Sequence, residues 1–389
     1  AINSSKKAIS LEPNLAIYHQ TLALAYEAKS DFGRALTTWQ KILALNPSHL
    51  RATQKISWLQ TDVARDFVEN GEKLNKEGKI EEAVEFYQQA LIMDSQQPMS
   101  VYLNCGNNLI TIGRFKEAET VFQQLIEKYP ARPDGYERFA KLAHHNADLE
   151  LALKRWEEAI AKFPENIGFQ VKKGNVLINL SRFDEAEAVF QQLIENYPNE
   201  PSGYERYAKV THYLADWELA LERWENAIAK FPDDFNFYLQ KGDVLANLFR
   251  YEEAETWWEK VIARYPDRHE GLFRSAALAR LLGNRELALQ TFERAIEKFP
   301  GQILAYCEAA RELIAMGRFA EAEEKFLLAL QKNPNDLSAL LQGGILASQH
   351  GSKELALERF ERAIEYYPPQ KAIDAYILAA VELKYLGRE

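Results

Sequence analysis

Cysteine is nearly absent. The 389 residues hold 2, Cys105 and Cys307, far apart and in no CxxC pattern. A disulfide framework is therefore not expected, and a reducing, cytoplasmic compartment fits best. Both thiols are expected to be buried as small hydrophobes. Long apolar runs are missing too: no stretch reaches about 18 consecutive apolar residues, so no membrane-spanning helix is expected. Basic excess is lacking. The chain has 47 Lys and Arg against 57 Asp and Glu, a net charge of −10, which argues against nucleic-acid binding over the whole surface. No GxGxxG, GxxxxGK or HExxH occurs, and no GxSxG in a strand–turn–helix context. No catalytic residue, metal or cofactor is expected.

Proline is kept out of every predicted helix interior, and its positions are ordered. Pro130, Pro164, Pro198, Pro232, Pro266, Pro300, Pro334 and Pro368 fall at a constant spacing of 34, as do Pro13 and Pro47. Proline cannot continue a helix, so each marks the end of one and the turn into the next. Two helices, A and B, fit between successive marks, with a mid-repeat turn such as Ile112-Gly113-Arg114. A longer likeness lies over this register. Residues 115–164 and 183–232 agree at 36 of 50 positions, an offset of 68, or two periods of 34. A fixed period of that size means a stacked array.

The packing positions recur as well. Mid-helix A carries a small residue (Ala23, Gly71, Gly106, Ala140, Gly174 and onward), and early helix B carries alanine (Ala35, Ala83, Ala118, Ala152 and onward). Four residues after that alanine comes a large aromatic such as Trp39, Tyr87, Phe122, Trp156 or Trp224. Small residues let the two backbones approach, and the aromatic on the same face fills the wedge beside the crossing. Trp217 and Trp257 miss that position and are expected to be partly exposed.

Tyr102, Gly106, Leu109, Gly113, Phe115, Ala118, Phe122 and Pro130 together show the pattern in which this chain resembles the tetratricopeptide repeat family, as an array of about ten repeats of bacterial type. The resemblance implies an all-α, right-handed superhelical solenoid of antiparallel helix pairs, with a concave groove lined mainly by helix A. It implies a protein-binding scaffold and no enzyme.

The expected organisation is a partial helix plus repeat 1 over 1–47, an extra helical insertion over 48–63, repeats 2–10 over 64–368, and the terminal helix of a truncated repeat over 369–389. The insertion reads as one long helix or an extra unpaired one. Both ends read as cut, no signal-peptide pattern precedes the first repeat, and a longer parent protein is expected. The apolar terminal helix offers a route to self-association.

In the family, the residues two before and one after the small helix-A residue tend to face the groove. Here those rows include Asn104, Arg138, Lys172, Arg206 and Arg274, then Asn107, Lys141, Asn175 and Lys209. His144, His212 and Tyr213 are expected along the wall. In an acidic chain these rows are mostly basic or amide, which suits an extended or acidic peptide segment: Arg pairs bidentately with carboxylate, and Asn both donates to and accepts from a peptide. The alternative is a solvated face neutralised from within, because Glu137 and Glu205 precede Lys141 and Lys209 by four residues. A metal site is not expected: His144 and His145 point about 100° apart on a helix, and His144 and His212 lie two repeats apart. The carboxylate pairs that open helix B, Glu117/Glu119 and Glu323/Glu324 among them, are expected to serve the helix dipole. A different reading is a substrate-recruiting or regulatory module of a larger enzyme, such as a glycosyltransferase or sulfotransferase.

Overall fold

The computed structural model describes residues 2–388. Among them there are helices and turns and no strand. The chain forms two compact units, Ala1–Tyr197 and Pro198–Glu389. The first unit opens with α1 (Ile2–Leu11). It continues with the pair α2 (Ala16–Glu27) and α3 (Phe32–Leu45), then α4 (Leu50–Trp58) and α5 (Ala64–Lys76), the latter pairing with α6 (Ile80–Met93). Three more pairs complete it: α7 (Met99–Thr111) with α8 (Phe115–Lys128), α9 (Pro133–His145) with α10 (Leu149–Lys162), and α11 (Ile167–Asn179) with α12 (Phe183–Asn196).

The second unit holds five pairs and a last helix. They are α13 (Pro201–Tyr213) with α14 (Trp217–Lys230), α15 (Phe235–Asn247) with α16 (Tyr251–Arg264), and α17 (Glu270–Leu281) with α18 (Arg285–Lys298). Then come α19 (Ile303–Ala315) with α20 (Phe319–Lys332) and α21 (Leu337–Gln349) with α22 (Lys353–Tyr366), followed by α23 (Ile373–Tyr385). Core clusters are strung along each unit, each drawn from neighbouring pairs.

The wedge is built as its spacing predicts. Trp39, Tyr87, Phe122, Trp156, Phe190, Trp224, Trp258, Phe292, Phe326 and Phe360 are all buried. At four crossings, those of Gly106, Gly174, Gly242 and Gly344, the approach is too close for a methyl group. A Cβ on Gly106 would lie 2.3 Å from the Phe122 ring, and one on Gly242 would lie 2.3 Å from Trp258.

Two devices start the B helices. Asp31, Asp148, Asp216 and Asn284 accept the backbone N–H three residues on, the ordinary N-cap. At α8, α12, α16 and α20 an arginine stands at the cap and forks onto a glutamate three residues later, while α6 and α22 start with no side-chain cap. Arg114 donates to Glu117 at 2.7 and 2.5 Å, and Arg250 donates to Glu253 at 2.6 Å through both nitrogens. Each such arginine holds its glutamate below the usual carboxylate range.

Glu119 and Glu323 have a different task from the dipole role expected of them. Arg155 is buried, pairs with Glu119 of the preceding B helix, donates to the Phe139 carbonyl at 2.9 Å and lies 3.6 Å over the Phe139 ring. Arg359 repeats this with Glu323 and the Gly343 carbonyl. These arginines tie one repeat to the next.

From Leu50 to Lys76 the backbone stays helical without a break, through a π segment at Leu59–Val63. One extra residue per turn there rotates the apolar face between α4 and α5. Trp217 and Trp257 are half-buried. Trp257 stacks on Tyr238 at 5.4 Å and donates its indole N–H to the Tyr238 carbonyl at 2.9 Å. Both cysteines are buried, which pushes the Cys105 thiol up to about 12 and Cys307 to about 11. In α23, Leu378 and Leu383 pack inward while Ile373, Tyr376, Ile377 and Tyr385 are exposed.

Candidate functional site: a basic cleft in the first unit

The site begins with three helices. Pro133 at the first position of α9 and Asn166 capping α11 fix where these two A helices start. Ala140 and Ala152 are fully buried and let α9 and α10 close on each other, with Trp156 beneath. Between α9, α10 and α11 lies a cleft of about 370 Å³. Lys141, His144 and His145 reach it from α9, Trp156 from α10, and Lys172, Asn175, Val176 and Asn179 from α11. Four of the residues singled out in the sequence therefore meet: Lys141, His144, Lys172 and Asn175.

No carboxylate is among the lining residues. Lys141 is held by Glu137 one helical turn before it, so part of its charge is spent locally. Lys172 is exposed and makes no ion pair among the described residues. Arg138, half-buried on α9, also makes none. The cleft thus presents ammonium, imidazole and amide donors over an indole floor, an arrangement that favours an anionic or amide-rich ligand.

Asn104 and Asn107 stand half-buried on α7, outside the cleft lining. His145, weighed from the sequence only as half of a metal pair, lines the cleft beside His144, and Asn179 joins it without having been singled out; each closes an A helix at the register of Tyr213 and Leu281. That register is the signal that would have found them.

The second unit carries the duplicate residues in different surroundings. Lys209 is paired with Glu205 at 2.5 Å, as Lys141 is with Glu137, but its neighbours differ. His212 is sandwiched by Trp217, at 5.2 Å between ring centroids, and Trp224, whose indole N–H it accepts at 3.2 Å. Burial, then the charge of Lys209, lowers its pKa. Gln240 and Asp243 stand where the first unit has Lys172 and Asn175. Asp243 is 3.4 Å from Arg274, which commits that arginine, and burial raises the Asp243 pKa. Tyr213 is exposed, and Arg206 is half-buried with its Nε out of contact with water.

A second cleft of about 360 Å³ stands four periods on, where Ala277, Arg280, Phe292 and Glu308 replace Lys141, His144, Trp156 and Lys172. Its charge is closed on itself. Arg280 binds Glu308 at 2.5 Å and also the fully buried Glu312, and Arg285 reaches Glu312 at 3.1 Å. The same scaffold position is therefore open and basic in the first unit, and internally neutralised in the second.

The tetratricopeptide repeat family model matches residues 105–167, 138–201, 213–269, 250–303 and 307–371. The chain belongs to the tetratricopeptide repeat family. It is thereby placed among protein-interaction modules. Its likeness to individual family members is partial. It is 30% identical over 156 residues to the Hsp70-Hsp90 organising protein of Plasmodium falciparum, covering 39% of this chain and 60% of that protein. It is 26% identical over 159 residues to the protein O-mannosyl-transferase Tmtc3 of Drosophila melanogaster, covering 37% of this chain and 16% of that protein. The matched stretch thus spans less than two thirds of either relative. The crystal structure of yeast Tom70 shares the fold, with a TM-score of 0.51 at 15% identity, over 100% of this chain and 92% of that one. No helix of the described residues is long and apolar enough to cross a membrane.

Proposed function

We propose that the chain is a non-enzymatic interaction scaffold whose first-unit cleft binds an extended, acidic segment of a partner protein. The observation that carries this is the lining: two lysines, two histidines and two asparagines around an indole, with no carboxylate. Lys172 would take the ligand's carboxylate, Asn175 and Asn179 its backbone, and Arg138 a second acid beside the cleft. Neutralisation of the register-equivalent cleft by Glu308 and Glu312 sets the first-unit cleft apart from that one. The relative named an Hsp70-Hsp90 organising protein is, by that name, a protein that acts on other proteins, which agrees with a scaffold.

The test is titration of the protein into a fluorescent Asp/Glu-rich peptide, with a Lys/Arg-rich peptide of equal length as control. Saturable binding of the acidic peptide alone, weakening as salt rises, supports the reading. Equal binding of both peptides, or of neither, refutes it.

The likeness to a named O-mannosyl-transferase favours one further reading, that the array recruits substrate for a catalytic segment in the same polypeptide. The parent gene decides it: a reading frame holding no segment besides the repeats would remove that reading.

A further inference from the structure

The edge where each A helix turns into its B helix differs between the units. In the second unit, Leu214 is 44% exposed, Phe249 76%, Leu281 65%, Leu282 48% and Phe319 39%. They sit on four successive A–B turns, at the ends of α13, α15 and α17 and the start of α20. In the first unit, no large apolar residue between Ile92 and Tyr197 is exposed among the described residues. The duplicate positions of Leu214 and Phe249, 68 residues earlier, are Asn146 and Ser181. Around Leu214 the copy also changes His145 to Tyr213 and Leu149 to Trp217, so this turn gains apolar and aromatic side chains together.

Phe249 adds an independent observation. Its φ is +58°, in the left-handed region. The other non-glycine residues with positive φ are Ser30, Ala147, Ser181 and Ala215, all small. A bulky ring there has a backbone cost and, at 76% exposure, only an edge contact with the Tyr251 ring at 5.9 Å within the unit. The left-handed turn is the ordinary helix stop at this register, shared by Gly113, Ala147, Ser181, Ala215, Gly283 and Gly317; the bulky residue in it is what departs from the other repeats.

Charge and area narrow what covers the edge. Its arginines are already satisfied: Arg250 by Glu253 and Glu218, Arg318 by Glu321 and Glu286, and Arg285 by Glu312. An anionic lipid surface would find no uncommitted cation there. The five side chains expose on the order of 500 Å² together, the size of a functional patch on a monomer. A stable two-fold dimer needs about 800 Å² per partner. Neighbouring A helices pack roughly 8–10 Å apart, and α15 touches α17 directly. Seven residues of an α-helix rise about 10.5 Å, so apolar residues seven apart on one helix meet successive turns.

We infer that the A–B edge of the second unit, from Leu214 to Phe319, docks an uncharged apolar face of a partner's amphipathic helix, with anchors spaced seven residues apart. The cleft of the first unit plays no part in it.

The experiment uses a labelled helical peptide with leucine at every seventh position, and a scrambled peptide of the same composition. Binding by anisotropy is compared for the whole chain, for Leu214→Asn/Phe249→Ser and for Lys172→Glu. The double variant carries the first unit's own residues, which the same turns already accommodate, so folding is retained; circular dichroism checks it. The expected result is that the heptad peptide binds about tenfold tighter than the scramble, and that the double variant loses about tenfold while Lys172→Glu loses nothing. Equal binding of the two peptides overturns the proposal, as does indifference to the double variant. So does a concentration-dependent mass that the double variant abolishes, which would make the occupant a second copy. Co-sedimentation with phosphatidylglycerol vesicles that the double variant abolishes would make it a lipid surface, and equally overturns it.

Discussion

Single residues decide how closely each helix pair can approach. Gly106 and Gly242 lie against Phe122 and Trp258 with no room for a methyl group, whereas Ala140 and Ala208 meet their tryptophans at the same register. Gly106→Ala is expected to push the Phe122 ring off its position and lower stability by about 1–3 kcal/mol, overpacking outweighing the better helix propensity of alanine. Urea unfolding measures it, and an unchanged or higher midpoint would contradict it. His212 makes a second residue-scale prediction. Its folded pKa is lowered, first by burial and then by Lys209, against an ordinary value of about 6.5. The unfolded chain therefore binds the proton more readily. The stability His212 contributes is present above about pH 6.5 and is lost as pH falls toward its lowered folded value. Melting temperature should drop between neutral and mildly acid pH, and His212→Gln should flatten that drop.

Among the elements, the joints between repeats rest on the buried arginines as well as on apolar contact. Arg155 is 7% exposed while its partner Glu119 is 37% exposed. Losing the arginine therefore strands a half-solvated carboxylate and the Phe139 carbonyl, a milder case than a fully buried pair. Arg155→Ala is expected to cost about 2 kcal/mol, and Glu119→Gln less. Calorimetric melting of the two single variants and the double tests the coupling, and strict additivity would show that the two do not act together. This joint shows where the sequence is legible and where it is not. Helix pairing, the wedge aromatics and the turns follow from period and residue size, because burial imposes them at every repeat. Arg155, Arg223 and Arg359 also recur in register, but an arginine in helix B reads as a solvated charge until its partner, 36 residues earlier in the case of Glu119 and Glu323, is placed beside it. The π segment at Leu59–Val63 left no composition signal: its residues keep helical spacing, and only the unbroken backbone from Leu50 to Lys76 reveals it.

Across the whole molecule, a duplicated scaffold carries different chemistry at equivalent places. The basic and amide rows of helix A are visible in the sequence, and so is the pairing of Lys141 with Glu137. What decides their use lies on other helices. Asp243 engages Arg274, and Glu308 and Glu312 close the second cleft, contacts that no single row displays. A basic groove running evenly along the array would lose affinity from any cation removed. A single open cleft in the first unit would not. The measurement that separates these is the affinity of the Asp/Glu-rich peptide for the Arg138→Glu/Lys172→Glu variant and for Arg206→Glu, each with its helicity checked. The account predicts a loss of at least about tenfold in the first and near wild-type binding in the second. Equal losses in both, or full binding by the first, would contradict it.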